Sequence, residues 1–502
     1  MRPIAPCYVH ARMTRVLVIG LDCAPPALVF DRLRRSMPSI ASLMRRGAWG
    51  PLRSTLPPIT VPAWTCMVSG RDPGELGLYG FRKRVPGSYA LEMADARDVE
   101  VPRVWDVLGD AGKRVSVLYV PPTSPPLAVN GQLVSCFLTP SSEVPHTHPP
   151  ELAATLSTRF GPHAPDVGEL RAAEPDRLLE ELYATGRQHF GVARAMWKEE
   201  RPDFLMMVEM GTDRLHHALW THLYPEHPEH DPSHRLVREV RDYYAFLDAE
   251  VGALVRETDE DTAILIVSDH GARRMEGAIC VNEWLRRRGW LLLKEAPREP
   301  GPLRAELVDW SRTRAWAEGG YYARVFLNVE GREPEGIVPA ERLDAEVAAL
   351  AAELEAMQIE GVDGLSVRAH RPRDLYREVR GLAPELLVIF GDLAYRSVSL
   401  VGGSLFERED DRRPDGANHD WNGVFVAAGR GVGARGELHD LSIHDVGPTI
   451  LRLMGVDVPS GWLGRDRSAA SDGLPATAEA RSAGAGVGSR HERSDKGNGS
   501  AS

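Results

Sequence analysis

The stretch RVLVIGLDCA, residues 15–24, decides the fold class of this chain. Its apolar run from Val16 to Leu21 ends in an acid, Asp22. A continuous apolar run of this length is typical of a parallel strand that is buried on both faces of a sheet. Open α/β sheets bind ligands outside the carboxyl ends of their strands, so we expect Asp22 to face a binding site.

Two other segments repeat this arrangement. Residues 263–267 (AILIV) are apolar and β-branched, and Asp269 and His270 follow them closely. Residues 203–210 (DFLMMVEM) also predict a strand, and Asp213 lies just beyond it. Because the carboxyl ends of parallel strands meet at one edge of a sheet, three acidic strand ends predict a single shared site.

Histidines complete a set of candidate metal ligands. His217 lies four residues after Asp213 in TDRLHHALW, which predicts the first turns of a helix, so both side chains can point the same way. His216, three residues after Asp213, is the alternative. Taken singly, such residues are more often helix caps or satisfied polar groups than ligands. Together, Asp and His ligands without a cysteine favour Zn²⁺, Mn²⁺ or Fe over a thiolate-bound structural zinc.

The segment PPITVPAW, residues 57–64, supplies a candidate nucleophile, Thr60. A threonine hydroxyl is a poor nucleophile at neutral pH, but a bound metal can lower its pKa and hold it in line with phosphorus. A plain turn in a Pro-rich loop is the competing interpretation. Thr65 is the nearest rival hydroxyl, and we expect it to lie inside a helix that begins near Pro62.

A last segment, ANHD around His419, completes the set. With these motifs in this order, the chain resembles the alkaline phosphatase superfamily and, within it, the type I phosphodiesterase and nucleotide pyrophosphatase branch. The resemblance runs from about Val16 to about Gly464. It implies two metal sites with separate ligand sets. The first set is Asp22, Thr60, Asp269 and His270, and the second is Asp213, His217 and His419.

The implied activity is the metal-dependent hydrolysis of a small phosphoric ester, with a phosphodiester or pyrophosphate as the first choice. Thr60 would form a phospho-threonine intermediate. The implied cofactors are two divalent metal ions, Zn²⁺ first, with Mn²⁺ or Fe as alternatives. A phosphomonoesterase or a phosphotransferase, including a metal-dependent mutase, is the nearest alternative. A non-catalytic metal-binding protein is a remote one.

One segment departs from the family. Nucleotide pyrophosphatases usually carry an asparagine after the nucleophile that donates a hydrogen bond to a phosphate oxygen. Here the stretch ELGLYGFRKR, residues 75–84, has Phe81 near that place and no asparagine. Arg82 or Lys83 would be substitutes for this donor, or else ordinary solvated charges. Nucleotide specificity is therefore not implied.

Composition restricts the partners and the location. With 60 basic and 71 acidic residues, the chain of 502 residues has a net charge of −11, which argues against general binding to nucleic acids or anionic membranes. No segment approaches the ~20 apolar residues of a membrane helix. Five cysteines without paired spacing favour reduced thiols and a cytoplasmic location. The sequence leaves the oligomeric state open.

The alternation of strand and helix patterns predicts an α/β fold. We expect an alkaline-phosphatase-like core, with a mostly parallel central sheet flanked by helices, and a smaller inserted α+β lobe. The core would comprise residues 14–289 and 384–465, and the lobe residues 290–383. Residues 1–13 would be a disordered leader, and residues 466–502, rich in Ala, Gly, Ser and charge, a disordered tail.

Three further apolar runs are predicted to be buried strands. They are RVSVLYV (114–120), ELLVIFGD (385–392) and GVFVAAG (423–429), the last of which follows His419 directly.

Overall fold

The structure is a computed structural model that describes residues 14–168, 174–408 and 415–469. The predicted leader 1–13 lies outside the described residues, and so does the part of the predicted tail, 466–502, from residue 470 onward. None of the helices within these ranges combines the length and apolar character needed to cross a membrane.

A ten-stranded mixed sheet forms the centre of the molecule. Arg15–Leu21 runs parallel to both of its neighbours, and the parallel pairing continues through five strands. This confirms the predicted α/β fold with a mostly parallel central sheet. In spatial order the strands are Gly436–Glu437, Ala48–Arg53, Asn422–Gly429, Thr262–Val267, Arg15–Leu21, Phe204–Glu209, Val115–Leu118, Gly131–Val134 and Thr147–His148, and Leu441–Ser442 also pairs with Ala48–Arg53.

Helices cover both faces of this sheet because its central strands are apolar on both faces. Along the first strand, Leu17 and Ile19 belong to one buried cluster, while Val16 and Val18 belong to the cluster on the opposite face. The helices in chain order are Pro38–Arg46, Thr60–Ser69, Pro73–Leu76, Val104–Asp110, Leu152–Phe160, Pro175–Ala195, Gly211–Leu223, Arg235–Arg256, Val281–Arg287, Leu343–Glu355, Pro372–Leu375 and Val446–Leu453.

A second, seven-stranded sheet forms the lobe and extends on both sides of the predicted bounds, 290–383. The predicted strand at 385–392 is present as Leu386–Phe390, but it pairs with strands of the lobe instead of the central sheet. Both sheets contain fully buried strands, so an apolar run alone does not reveal which sheet it joins. The strands are Ala315–Glu318, Ala323–Leu327, Val367–His370, Leu386–Phe390, Tyr395–Val398, Gly277–Cys280 and Phe406–Glu407.

Three small two-stranded sheets complete the described β-structure. They pair Gly271–Arg274 with Ala417–Asp420, Gly301–Pro302 with Leu400–Val401, and Arg82–Arg84 with Leu91–Met93.

The lobe is docked against the segment that carries Thr60. The Tyr376 hydroxyl donates to the Leu56 carbonyl oxygen at 2.6 Å, and the Tyr322 hydroxyl donates to the Tyr79 carbonyl oxygen. A buried ion pair between Arg84 and Glu333, 2.6 Å long, adds a third contact. Side chains of the lobe therefore lie next to the candidate site.

Candidate active site

The three predicted acids meet at the carboxyl edge of the central sheet. Asp22 directly follows the first strand, Asp269 lies two residues after Thr262–Val267, and Asp213 is in the first turn of Gly211–Leu223. All three carboxylates are buried, with at most 2% of any residue exposed. The sheet therefore gathers three acids in a space with little water.

One oxygen of each carboxylate is held by a protein donor. Trp64 Nε1 donates to Asp22 Oδ2 at 2.6 Å, Arg214 Nη1 donates to Asp213 Oδ2 at 2.6 Å, and the Cys23 backbone N–H donates to Asp269 Oδ1 at 3.2 Å. Of the other three oxygens, Asp22 Oδ1 and Asp269 Oδ2 are buried without a hydrogen-bond donor in the described part of the chain, and Asp213 Oδ1 is buried 3.2 Å from His217 Nε2.

Burying an unsatisfied carboxylate oxygen costs on the order of several kcal/mol. Divalent cations bound by these oxygens would remove that cost. The residues present therefore fit the implied metal ions.

Three histidines face the acids through the same ring nitrogen. In each ring, Nδ1 lies within hydrogen-bond distance of a protein oxygen, which leaves Nε2 directed into the site. Such partners fix the orientation of a metal-binding imidazole and its tautomer. The three contacts are His217 Nδ1 to Asp415 Oδ1 at 2.7 Å, His270 Nδ1 to the Gly271 carbonyl oxygen at 3.0 Å, and His419 Nδ1 to the Pro58 carbonyl oxygen at 2.9 Å.

The ligand atoms form two overlapping groups. Within each group all the atoms lie within 4.8 Å of one another. His270 belongs to both groups, whereas the resemblance assigns it to one metal only. His217 Nε2 lies 3.2 Å from Asp213 Oδ1, beside the second group. The groups are Asp22, Asp269 and His270, and Asp213, His270 and His419.

Thr60 is the first residue of the helix Thr60–Ser69, and it is buried. Its hydroxyl Oγ1 lies 3.3 Å from His270 Nε2, so it reaches the atom that the two groups share. All seven residues predicted as nucleophile or metal ligands thus lie together. Thr65 donates its hydroxyl to the Val61 carbonyl oxygen inside the same helix.

Charge in the site is unbalanced. Burial, together with repulsion by Asp213, raises the pKa of Asp22 well above its usual range, and burial and repulsion by Asp22 do the same for Asp269. Burial alone would raise the pKa of Asp213, but His217 and Arg214 hold it well below its usual range. The raised pKa values of Asp22 and Asp269 indicate that this site favours added positive charge.

His217 supplies positive charge to this site when it is protonated. Burial alone would lower its pKa, but the neighbouring Asp213 and Asp415 carboxylates raise it to about 10. Burial lowers the pKa of His270 to about 4, so that ring stays neutral. If His217 holds a divalent ion, it does so without the proton on Nε2, because metal ligands must be deprotonated.

His216 points away from the acids. Its Nε2 lies 2.6 Å from the Tyr244 hydroxyl, and burial lowers its pKa to about 3. Of the two adjacent histidines, the structure places His217 beside Asp213 and packs His216 into the core.

Several supporting residues carry no sequence signal of their own. Asp415 holds His217 and accepts from Arg396 Nη1 at 2.9 Å. Arg214, which holds Asp213, is itself held by Asp166. Arg214 follows Asp213 in sequence and Asp415 lies four residues before His419, but neither position reveals the partner. The contacts of Asp415 with His217 and of Arg214 with Asp166 form only in the folded chain.

A pocket of about 630 Å³ lies next to the candidate metal ligands. Ile59, the neighbour of Thr60, and Tyr321, which contacts His217, line it together with Arg82. The side chain of Arg82 is 55% exposed and lies 3.5 Å from Glu318.

Lys83 is engaged elsewhere. Its ammonium group pairs with Asp98 and with Glu92, the latter at 3.2 Å, and it lines a different pocket. Of the two predicted phosphate donors, Arg82 faces the pocket beside the ligands.

The sequence of residues 16–410 matches the family model described as type I phosphodiesterase / nucleotide pyrophosphatase. This confirms the resemblance drawn from the motifs. No curated protein matches the chain.

Similar solved structures include phosphonoacetate hydrolase from Sinorhizobium meliloti 1021 in complex with phosphonoformate, at 16% identity and a TM-score of 0.56, covering 88% of this chain and 96% of that chain. Human ectonucleotide pyrophosphatase / phosphodiesterase 5 matches at 13% identity and a TM-score of 0.51, with 89% and 96% covered. An inactive variant of the murine protein in complex with AMP matches at 12% identity and a TM-score of 0.53, with the same coverage. At these identities the likeness shows the fold.

Proposed function

Because the chain belongs to the type I phosphodiesterase / nucleotide pyrophosphatase family of phosphoric ester hydrolases, we propose that it cleaves phosphodiesters or pyrophosphates with Thr60 as the nucleophile. One observation carries this proposal: the Thr60 hydroxyl lies 3.3 Å from His270 Nε2, beside buried carboxylates that have open oxygens.

Two divalent ions, Zn²⁺ first, with Mn²⁺ or Fe as alternatives, would be held by the residues that converge on this point. When bound, such ions lower the pKa of the threonine hydroxyl and neutralise charge on the phosphoryl group. The first ion would be held by Asp22, Thr60, Asp269 and His270, and the second by Asp213, His217 and His419.

The covalent step would form a bond between Thr60 Oγ1 and phosphorus and break the bond from phosphorus to the leaving oxygen. Thr60 loses its proton, and the leaving oxygen departs with the bonding electrons and takes up a proton. A water oxygen then forms a bond to phosphorus, the bond from phosphorus to Thr60 Oγ1 breaks, and a proton lost by the water restores the threonine hydroxyl. The N-terminus of the helix Thr60–Ser69 supports this step, because its backbone N–H groups favour an anionic phosphoryl group.

Arg82 is the cationic side chain that we propose for contact with the substrate. Its place in the pocket beside Tyr321 supports this role, and its guanidinium group suits a phosphate oxygen. Lys83, which is held by Glu92 and Asp98, provides a matched control.

A reducing, cytoplasmic location fits the cysteines. The four in the described residues, Cys23, Cys66, Cys136 and Cys280, are buried free thiols.

The experiment is a comparison of bis-para-nitrophenyl phosphate with para-nitrophenyl phosphate as substrates of the metal-loaded protein. We expect the diester to be cleaved faster. Thr60→Ala should lower turnover on the order of 10³-fold or more with its metal content unchanged, and Thr60→Ser should keep a measurable fraction.

Mass spectrometry of the quenched reaction should find a phosphoryl group on Thr60. Faster cleavage of the monoester would favour the phosphomonoesterase alternative. Transfer of the phosphoryl group to an acceptor other than water would favour the phosphotransferase. Near-wild-type turnover by Thr60→Ala would refute the covalent step.

A further inference from the structure

Arg324 is a buried cation at the junction of the core and the lobe. It belongs to the strand Ala323–Leu327, and only 7% of its surface is exposed. The residue lines the pocket beside the candidate metal ligands and also the neighbouring pocket that Lys83 lines. Arg324 therefore faces the same space as Ile59, the neighbour of Thr60.

The other two arginines that line the pocket beside the ligands are each paired with a carboxylate. Arg396 Nη1 lies 2.9 Å from Asp415 Oδ2. Glu318 is opposite Arg324 in the hairpin, but its carboxylate contacts Arg82 instead, at 3.5 Å. Of the three, Arg324 is the one that forms no ion pair in the part of the chain that the structure describes.

A buried guanidinium group without a counter-ion is unfavourable in the ligand-free protein. Burying a charge costs free energy unless the charge is paired, and an arginine cannot avoid this cost by losing its proton. Arg324 Nη1 donates to the Arg82 carbonyl oxygen, but that oxygen carries no full negative charge. An anion in the pocket would supply the missing charge, because a guanidinium group binds a carboxylate or a phosphate with two parallel hydrogen bonds.

The opposite wall of the pocket is shaped to admit this group. A Cβ atom on Gly80 would lie 3.2 Å from Arg324 Nη1 and 3.1 Å from the Tyr322 hydroxyl, so a larger residue would crowd the guanidinium group. The Tyr322 hydroxyl donates to the Tyr79 carbonyl oxygen, which fixes the loop next to Gly80. The backbone around Arg324 thus holds the cation in place without neutralising it.

On the basis of the proposed function, we propose that Arg324 is a specificity residue that binds a second anionic group of the substrate, a carboxylate or a phosphate. Arg82 and the candidate metal ligands would contact the phosphoryl group that is cleaved. The substrate is then a phosphoric ester or anhydride that carries negative charge at a second place. Hydrogen bonds to charged groups are stronger than those between neutral groups, so the loss of Arg324 should be measurable in affinity.

The test uses three phosphonates that share one spacer and differ in the second group. Phosphonopropionate carries a carboxylate, ethylenediphosphonate carries a second phosphonate, and phosphonopropionamide carries a neutral amide with the shape of the carboxylate. Each probe is titrated calorimetrically into zinc-loaded protein. Tighter binding of the first probe identifies a carboxylate as the second group, and tighter binding of the second identifies a phosphate.

The variants separate the charge of Arg324 from its packing. Arg324→Met removes the charge and keeps an apolar stem, and Arg324→Lys keeps the charge. Arg82→Ala removes the cation that we assign to the cleaved phosphoryl group. Lys83→Met is the matched control, because Lys83 is a cation near the pocket that is held by Glu92 and Asp98.

We expect the wild-type protein to bind a charged probe about 10- to 100-fold more tightly than the amide, and Arg324→Met to lose this difference. Arg324→Lys should keep part of it, and Lys83→Met should keep all of it. Arg82→Ala should weaken the three probes by similar factors. The free energy of unfolding of Arg324→Met should not fall, because the buried charge that it removes is uncompensated.

Equal affinity of the wild-type protein for the three probes, or binding of none of them, would overturn the proposal. Equal losses for all three probes in Arg324→Met, together with lower stability, would also overturn it, because Arg324 would then only hold the backbone at Arg82.

The titrations need no turnover. If the wild-type protein hydrolyses no diester, the proposed function fails, while the affinities for the charged and neutral probes still decide the role of Arg324. If it hydrolyses the diester and binds the three probes equally, only the role of Arg324 fails.

Discussion

Asp415→Asn tests whether the environment of His217 is built for a metal ion. Asp415 is fully buried, and its Oδ1 lies 2.7 Å from His217 Nδ1 while its Oδ2 accepts from Arg396. The amide keeps an oxygen for the imidazole and removes the negative charge. The orientation of the ring is therefore retained while its basicity falls.

The magnitude follows from the charges around the ring. Burial lowers the pKa of His217, and Asp213 and Asp415 together raise it to about 10. Without one of these carboxylates, the imidazole becomes a weaker base and a weaker ligand. Changes to such supporting residues typically lower metal affinity by about 10- to 100-fold, which corresponds to about 1.4 to 2.7 kcal/mol.

The assay is a competition titration of each protein with a chromophoric zinc chelator at neutral pH. In Asp415→Asn we expect the protein to bind one of two zinc ions more weakly and the other with unchanged affinity. Asp248→Asn is the control, because Asp248 is a buried carboxylate that accepts from the backbone of Ser39 and Ile40, away from the site. Equal weakening of both ions, or of neither, would refute the assignment of His217 and Asp415 to one ion.

Three further predictions concern the paired histidines, the two candidate phosphate donors and a buried histidine outside the site. His217→Ala should lose one ion, whereas His216→Ala should keep both, as elemental analysis would show; equal metal loss would contradict the assignment. Arg82→Ala should lower kcat by about 10²-fold and Lys83→Ala should not, in steady-state assays at several salt concentrations. Burial, then His146 and His189, lowers the pKa of His163 to about 3, so the unfolded chain binds more protons below pH ~6.5 and stability should fall from there toward pH 3. In chemical denaturation, His163→Phe should lose less stability than the wild-type protein as the pH falls. If both proteins have the same dependence of stability on pH, His163 is not a cause of the loss.

The sequence predicted the parts of the site that depend on local pattern. Asp22, Asp213 and Asp269 each follow an apolar strand, and parallel strands end at one edge, so local periodicity was enough to group them. Helical spacing alone does not separate His216 from His217, and only the resemblance selects His217 from the sequence. Packing against Tyr244 decides it, and a contact 28 residues away in sequence has no local signal.

The supporting residues were missed for the same reason. Trp64 lies close to Thr60 in sequence, but its bond to Asp22 depends on the close approach of its helix to the sheet. A Cβ atom on Gly20 would lie 2.5 Å from the Trp64 ring, so glycine at that point of the strand makes this approach possible. The sequence shows the glycine and the tryptophan but not that they meet.

The lobe is the part of the molecule whose extent is hardest to predict from the pattern of apolar residues. Its strand Leu386–Phe390 is as apolar as the strands of the central sheet, so only its pairing with Ala323–Leu327 and Val367–His370 assigns it to the lobe. That pairing has a consequence for the site. The hairpin of Ala315–Glu318 and Ala323–Leu327 carries Tyr321 at its turn, so the sheet that the sequence could not delimit places a phenolic hydroxyl on His217. Because Tyr321 belongs to the lobe, a change in the lobe would alter the surroundings of His217 without moving the strand ends that carry the candidate ligands.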